Sequence, residues 1–197
     1  MKIPALLALF YSLNAVATCE TQSLSPISST TSSTNFIVDE TKEVVIDKTT
    51  GLMWKMCLEG MTGTNCRSGS GRLVAYNTAL SDVEALNNGA GFAGYNDWRL
   101  PTVKELFSIV DESCQRPALN QKVFRPDEDI ANPGGAASDN VIRDADVFTS
   151  TPTPYYDVSY IYVFTINFSD GAFDRKAVGG GSGSNESAYV RLVRNAQ

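Results

Sequence analysis

One stretch of twelve residues, YNDWRLPTVKEL at positions 95–106, constrains the fold more than any other part of the chain. Its first half contains turn-forming residues and then Trp98 in a short alternating pattern, which predicts a strand over three residues. Pro101 ends that strand, and Thr102 with Glu105 forms a T-x-x-E capping box. The sequence therefore predicts a corner where a strand at 98–100 turns into a helix.

The charged residues of this corner have a structural and a functional interpretation. Arg99 lies close in sequence to Asp97 and Glu105, so it could clamp a ligand or form a semi-buried salt bridge. Buried arginines are normally paired, which favours the salt bridge. We likewise expect Trp54 and Trp98 to belong to the core rather than to a sugar-binding platform.

The first residues have the three parts of a secretory signal peptide. Lys2 precedes an apolar run at 3–10 and an A-V-A cleavage motif at 15–17, so residues 1–17 should be removed. The alternative is a lipoprotein acylated at Cys19. The run is too short to cross a bilayer, so we expect a protein that is secreted, periplasmic or at the cell surface, with no membrane span.

Export changes how the four cysteines are interpreted. An even number in an exported chain predicts disulfides, because that compartment is oxidising. Cys57 and Cys66 flank a short polar loop and should pair with each other, which leaves Cys19 and Cys114 for a second bridge; free buried thiols are the alternative. The chain has no histidine and no C-x-x-C motif, so we expect no metal site.

Composition excludes some classes of partner. The formal net charge is −6, and loss of the signal peptide would make it more negative. Nucleic-acid binding needs a basic face, so an acidic chain argues against it. No motif indicates a catalytic triad or a bound cofactor, and the oligomeric state is left open.

The pattern of elements predicts an α+β fold. A flexible Ser/Thr-rich lead-in at 18–35 should precede a single domain over 36–197. The order of strands, two helices, a long irregular loop and further strands predicts a small, mostly antiparallel sheet. Apolar residues of the first helix, among them Ala79 and Leu80, recur at helical spacing. The predicted strands cover 36–39, 44–47, 52–57, 147–150, 160–168, 172–176 and 188–193, the helices 73–86 and 103–110, and the loop 116–146.

Two groups of residues are candidates for ligand binding. Tyr155, Tyr156 and Tyr160 cluster after two prolines, and exposed tyrosines suit recognition surfaces. Arg175 and Lys176 form a compact basic spot beside a predicted hairpin. Either group could also be ordinary surface.

Acidic residues in the long loop could supply oxygen ligands for calcium. No EF-hand spacing is present, so a solvated acidic loop is the better interpretation. The residues concerned are Asp127, Glu128, Asp129, Asp139, Asp144 and Asp146.

Four motifs resemble one bacterial family. They are GLMWKMC at 51–57, DWRLPTVKEL at 97–106, FTSTP at 148–152 and YVRLVR at 189–194. The family is named for the C-terminal domain of the Legionella collagen-like adhesin, also catalogued as domain of unknown function 1566, and the likeness runs over 36–194.

The resemblance implies a C-type-lectin-like architecture and adhesion through sulfated glycosaminoglycans. This chain has no collagen-like repeat and is acidic, which departs from that pattern. The segment at 98–102 also resembles the formylglycine-generating enzymes, but those need a late cysteine pair for copper, and no cysteine follows Cys114.

These observations together predict an exported, non-enzymatic recognition or adhesion module. It would bind a glycan or a cell-surface protein through the 116–146 loop and residues 155–160. The first alternative is a structural subunit of a surface or pilus-like assembly, and the second is an enzyme related to the formylglycine-generating class.

Overall fold

The computed structural model describes residues 28–114, 117–124, 146–154, 159–180 and 185–196. The predicted signal peptide and Cys19 lie outside the described residues. Within them the chain forms short strands and two helices, which confirms the α+β class. The strands are β1 (Phe36–Asp39), β2 (Val44–Asp47), β3 (Leu52–Lys55), β4 (Met61–Thr62), β5 (Ser68–Gly69), β6 (Val74–Ala75), β7 (Asp146–Pro152), β8 (Tyr160–Asn167), β9 (Ala172–Gly180), β10 (Ser187–Ala188) and β11 (Val193–Asn195), and the helices are α1 (Tyr76–Asn88) and α2 (Val103–Phe107).

The first sheet joins the two ends of the domain. β1 and β2 pair antiparallel from Phe36 opposite Asp47 to Asp39 opposite Val44, which confirms the predicted hairpin. β3 pairs with β2 on one side and with β11 on the other. The sheet order β1-β2-β3-β11 therefore places an early strand beside the last one.

The second sheet has the aromatic-rich strand β8 at its centre, between β7 and β9. The backbone N–H of Glu186 donates to the carbonyl of Ala177 in β9, at 3.0 Å. The backbone N–H of Tyr189 donates to the carbonyl of Asp146 in β7, at 2.8 Å. The segment 186–189 thus joins the two outer strands.

Apolar side chains fill two clusters, and β3 contributes to both. Trp54 belongs to one cluster, and its neighbour Met53 belongs to the other together with Trp98. Successive residues of a strand point to opposite faces, so a single strand can supply both clusters. Both tryptophans are buried, at 0% and 1% exposure, as predicted.

Helix α1 starts at Tyr76 instead of the predicted position 73, and few of its side chains are buried in the core. Ala79 is buried and Val83 is half-buried against the second cluster. Leu80 is 44% exposed, although it belongs to the same helically spaced apolar set. The helix packs along a narrow stripe, and Leu80 lies about 100° further round the helix than Ala79.

Helix α2 begins at the predicted capping box. The Thr102 hydroxyl accepts from the Glu105 N–H at 3.3 Å, and the Glu105 carboxylate accepts from the Thr102 N–H at 2.7 Å. The helix ends at Phe107 instead of the predicted Val110. The Ser108 hydroxyl donates to the Glu105 carbonyl, a local bond that competes with continuation of the helix.

The described part of the lead-in, residues 28–35, is docked on the domain instead of hanging free. The hydroxyls of Ser29 and Thr31 donate to the Asp111 carboxylate at 2.5 and 2.9 Å. The Asn120 amide donates to the carbonyl of Thr31. The Ser/Thr composition that predicts flexibility also supplies the hydroxyl donors that dock this segment.

The described part of the predicted irregular loop packs into the core. Leu119 and Phe124 are buried, and the Phe124 ring lies edge-on to Trp54 with centroids 6.4 Å apart. The prediction of an exposed loop is therefore wrong for residues 117–124, and residues 125–145 lie outside the described part.

Two predicted strands are shorter in the structure. Residues 98–100 form only a single bridge, between Arg99 and Val193. The predicted strand 188–193 is divided into β10 and β11. Between the two strands, the Leu192 carbonyl accepts from the N–H of Lys55 at the end of β3, and the Val190 carbonyl accepts from the N–H of Glu59.

Candidate recognition surface

Aromatic side chains line one face of β8 and β9. Tyr160, Tyr162 and Phe164 occupy alternate positions of β8 and are half-buried. Arg175 of β9 lies opposite Phe164 and is exposed, and Phe173 is 53% exposed on the same face. We call these five residues the aromatic strip.

Contacts between neighbouring side chains hold the strip in place. The Tyr160 and Tyr162 ring centroids are 6.1 Å apart. The Arg175 guanidinium carbon lies 5.3 Å from the Tyr162 centroid, within cation–π distance. Phe173 stacks on Phe107 of α2, with centroids 4.8 Å apart and planes 26° apart. The strip is therefore anchored to both a strand and a helix.

The chemistry of the strip suits recognition. Tyrosine offers a wide apolar face with a hydroxyl at its edge, and it loses little rotamer entropy when it binds. A guanidinium provides several donors in a planar arrangement that matches carboxylate or sulfate groups. The strip can therefore contact a flat ligand with polar edges, such as a sugar ring or a protein loop.

The structure brings together only some of the predicted binding residues. Tyr160 and Arg175 share the strip, joined through Tyr162. Tyr155 and Tyr156 lie outside the described residues. Sequence reasoning did not connect Tyr160 with Arg175, although strict alternation along both strands, once paired, would have placed them on one face.

Lys176 does not form a joint basic spot with Arg175. It lies on the opposite face of β9, where its Nζ is 2.8 Å from the Asp146 Oδ2. Asp146 is 2% exposed, and burial raises the pKa of its carboxyl. The expectation of one compact basic spot is therefore wrong, because adjacent strand residues point to opposite faces.

The Trp98 corner is closed by hydrogen bonds. The indole Nε1 donates to the Phe92 carbonyl at 3.0 Å. The Asn87 side chain brackets the Trp98 backbone, accepting from its N–H at 3.0 Å and donating to its carbonyl at 2.7 Å. Together these bonds tie the end of α1 to the corner.

Arg99 forms the predicted salt bridge with Glu105. The pair is bidentate, with Nη1 to Oε2 at 2.8 Å and Nη2 to Oε1 at 2.7 Å. Hydrogen bonding from Arg99, more than any other contact, lowers the pKa of Glu105 to about 2. The Arg99–Glu105 ion pair thus joins the corner to the start of α2, in addition to the continuous backbone.

Asp97 pairs with Arg194, an arginine that sequence reasoning did not single out. Arg194 Nε donates to Oδ1 at 2.6 Å and Nη2 to Oδ2 at 3.2 Å. The guanidinium also lies over the Tyr95 ring, 3.8 Å from its centroid. Hydrogen bonding from Arg194 lowers the pKa of Asp97.

Arg191 is buried, at 2% exposure, a position that the spacing of residues in YVRLVR does not reveal. Its Nη1 donates to the carbonyls of Lys55 (3.0 Å) and Met56, and its guanidinium lies over the Phe124 ring. Burial lowers the pKa of Arg191 to about 10, so it stays charged at neutral pH. Within YVRLVR, both arginines hold the fold together.

The cysteines follow the prediction where the structure describes them. Cys57 and Cys66 form a disulfide, which confirms that bridge. Cys114 is also disulfide-bonded, and its predicted partner Cys19 lies outside the described residues.

Among the described residues, no three His, Cys, Asp or Glu side chains are grouped so that they could hold a metal ion. Of the acidic residues considered for calcium, Asp146 binds Lys176, and the others lie outside the described part. The helices that the structure describes are all too short or too polar to cross a membrane.

Fold and surface together define an α+β domain, cross-linked by a disulfide, that exposes an aromatic strip. The model of the Lcl C-terminal domain family matches residues 43–194, so the chain belongs to that family, which suggests an adhesin-like domain. No curated protein and no solved structure matches the chain.

Proposed function

We propose that this protein is an exported recognition domain that binds a glycan or a cell-surface protein through the aromatic strip. The proposal rests on the exposed Arg175 beside Tyr162, because a cation and a half-exposed aromatic ring lie together there at the surface. Family membership supports the same reading, since the matched domain is adhesin-like. The disulfide fits an oxidising compartment outside the cytosol.

The proposal is that the domain binds without catalysis. Two pockets among the described residues have volumes of about 90 and 110 Å³. Small-molecule sites usually occupy roughly 300–1,000 Å³, so these are too small to enclose most substrates. A C-type-lectin-like arrangement of sheet and helices, which the family resemblance implies, would suit such a binding role.

A glycan array and a pull-down from cell-surface extracts, both with the mature protein, test the proposal. Replacing both strip tyrosines (Tyr160→Ser with Tyr162→Ser) should lower binding about tenfold or more, since aromatic anchors dominate recognition surfaces. Ile37→Ser serves as the matched control, because it removes an exposed apolar side chain (52%) from the other sheet and should leave binding unchanged.

Binding that survives the double substitution would overturn the assignment to the strip. Ile161 (62% exposed) and Phe173 favour the alternative of an assembly subunit, since exposed apolar side chains suit subunit contacts. Stable self-association on a sizing column, lost in Ile161→Ser, would support assembly in place of ligand recognition.

A further inference from the structure

A small pocket lies between α1 and the chain around Glu59, and it shares no lining residue with the aromatic strip. Its volume is about 90 Å³, or the space of about three waters at roughly 30 Å³ each. Its inner surface is aliphatic and comes from β6, α1 and the segment between β10 and β11. The aliphatic residues are Val74, Ala79, Val83, Val190 and Leu192.

Backbone hydrogen bonds hold the pocket open. The Arg72 N–H donates to the Glu59 carbonyl at 2.9 Å, and the Glu59 N–H donates to the Val190 carbonyl at 2.9 Å. Gly60 at the rim has a φ of +88°, and a Cβ there would lie 2.5 Å from the Ser70 carbonyl oxygen. Glycine therefore keeps this part of the rim free of a side chain.

The rim carries both signs of charge above the aliphatic floor. Arg72 Nη1 lies 2.9 Å from Asp82 Oδ2, with the two side chains 50% and 37% exposed. Glu59 lies deeper and binds the Lys55 ammonium at 2.6 Å. An exposed pair such as Arg72–Asp82 changes an equilibrium constant by less than about tenfold, so a ligand bearing both charges can replace it.

We propose that this pocket binds a free α-amino acid with a branched aliphatic side chain. The side chain occupies the aliphatic floor, the α-ammonium binds Asp82, and the α-carboxylate binds Arg72. A neutral sugar would match neither charge, and a larger side chain would exceed the volume. This inference concerns a different surface from the aromatic strip and does not depend on the proposed function.

Methyl NMR titration of the mature protein tests the proposal with L-leucine as the probe. Leucine should shift the methyl signals of Val74, Val83 and Leu192. It should bind roughly 50-fold more tightly than glycine, because full burial of a leucine side chain strengthens binding by about 13- to 160-fold. It should also bind about three- to fivefold more tightly than 4-methylpentanoate or 3-methylbutylamine, which each lack one charged group.

Two charge substitutions on the exposed rim complete the test. Asp82→Asn and Arg72→Gln should each weaken leucine binding about three- to fivefold. Glu84→Gln, on the same helix but outside the pocket lining, is the matched control and should have no effect. Absence of methyl shifts at tens of millimolar leucine, or equal binding of leucine and glycine, would overturn the proposal, as would rim variants that bind like the parent.

Discussion

The Trp98 corner and the aromatic strip combine the same residue types in opposite ways. At the corner, Trp98 is buried, and Arg99 and Arg194 are each held by two bonds to a carboxylate. In the strip, Arg175 is exposed beside Tyr162, and the rings are only half covered.

Burial, rather than residue type, separates the structural corner from the candidate recognition surface. In the corner, charged groups bind each other and fix the chain direction. In the strip, a guanidinium and several rings remain at the surface, where a ligand can reach them. Three measurements test how far this contrast holds.

The largest difference should appear when an aromatic side chain is removed from each region. Trp98→Ala should lower the free energy of unfolding by about 3–5 kcal/mol, because it leaves a large cavity. Tyr162→Ala should lower it by about 1 kcal/mol or less, since its ring is half exposed. Urea unfolding measures both, and similar losses would contradict the contrast.

Two arginines give a smaller, charge-based comparison. Arg194→Ala should cost about 2–3 kcal/mol, because a 4% exposed side chain loses its packing on Tyr95 and its bonds to Asp97. Arg175→Ala should stay within about 0.5 kcal/mol, as for most surface positions. Thermal unfolding distinguishes them, and a stability loss at Arg175 equal to that at Arg194 would show that the strip is also structural.

The smallest effect is a pH dependence at the corner. The pKa of Glu105 is lowered from 4.5 to about 2 in the folded protein, so the ionised carboxylate stabilises the fold above pH 4.5 and this contribution disappears as pH falls towards 2. Glu105→Gln should cost about 1–2 kcal/mol at pH 7, allowing for solvent screening. The gap between variant and parent should close on acidification, and a constant gap in urea titrations would disprove the coupling.

Local chemistry predicted the elements that depend on neighbouring residues. The β1–β2 hairpin has the predicted bounds, since alternation and a polar turn define it. The capping box of α2 is likewise confirmed, because Thr102 and Glu105 satisfy each other's backbone within one turn. Both features arise from contacts a few residues apart.

Pairings across the whole chain escaped prediction. Asp97 looked closest to Arg99 in sequence, yet it binds Arg194, which the antiparallel bridge between Arg99 and Val193 brings near. Arg191 lies between pairs of apolar residues, a spacing that does not show where its side chain points, and it is buried against the carbonyls of Lys55 and Met56. The spacing of residues along the sequence does not identify partners that are distant in the chain.

For the same reason, single residues of the candidate surface were predicted, but their grouping was not. Tyr160 and Arg175 were chosen separately, and only the register of β8 with β9 shows that they face the same way. That register also separates Lys176 from Arg175, since one step along a strand changes the face. Residue chemistry identifies candidates, and strand pairing decides which of them can act together.

The position of β11 has a consequence for how the molecule is assembled in time. During synthesis from the N-terminus, residues 191–195 are made after almost all the residues that they contact. Until then β3 lacks its neighbour β11, and the carbonyls of Lys55 and Met56 lack the guanidinium of Arg191. The interior can close only in a late step, so a prematurely terminated chain would remain loosely collapsed and open to proteases.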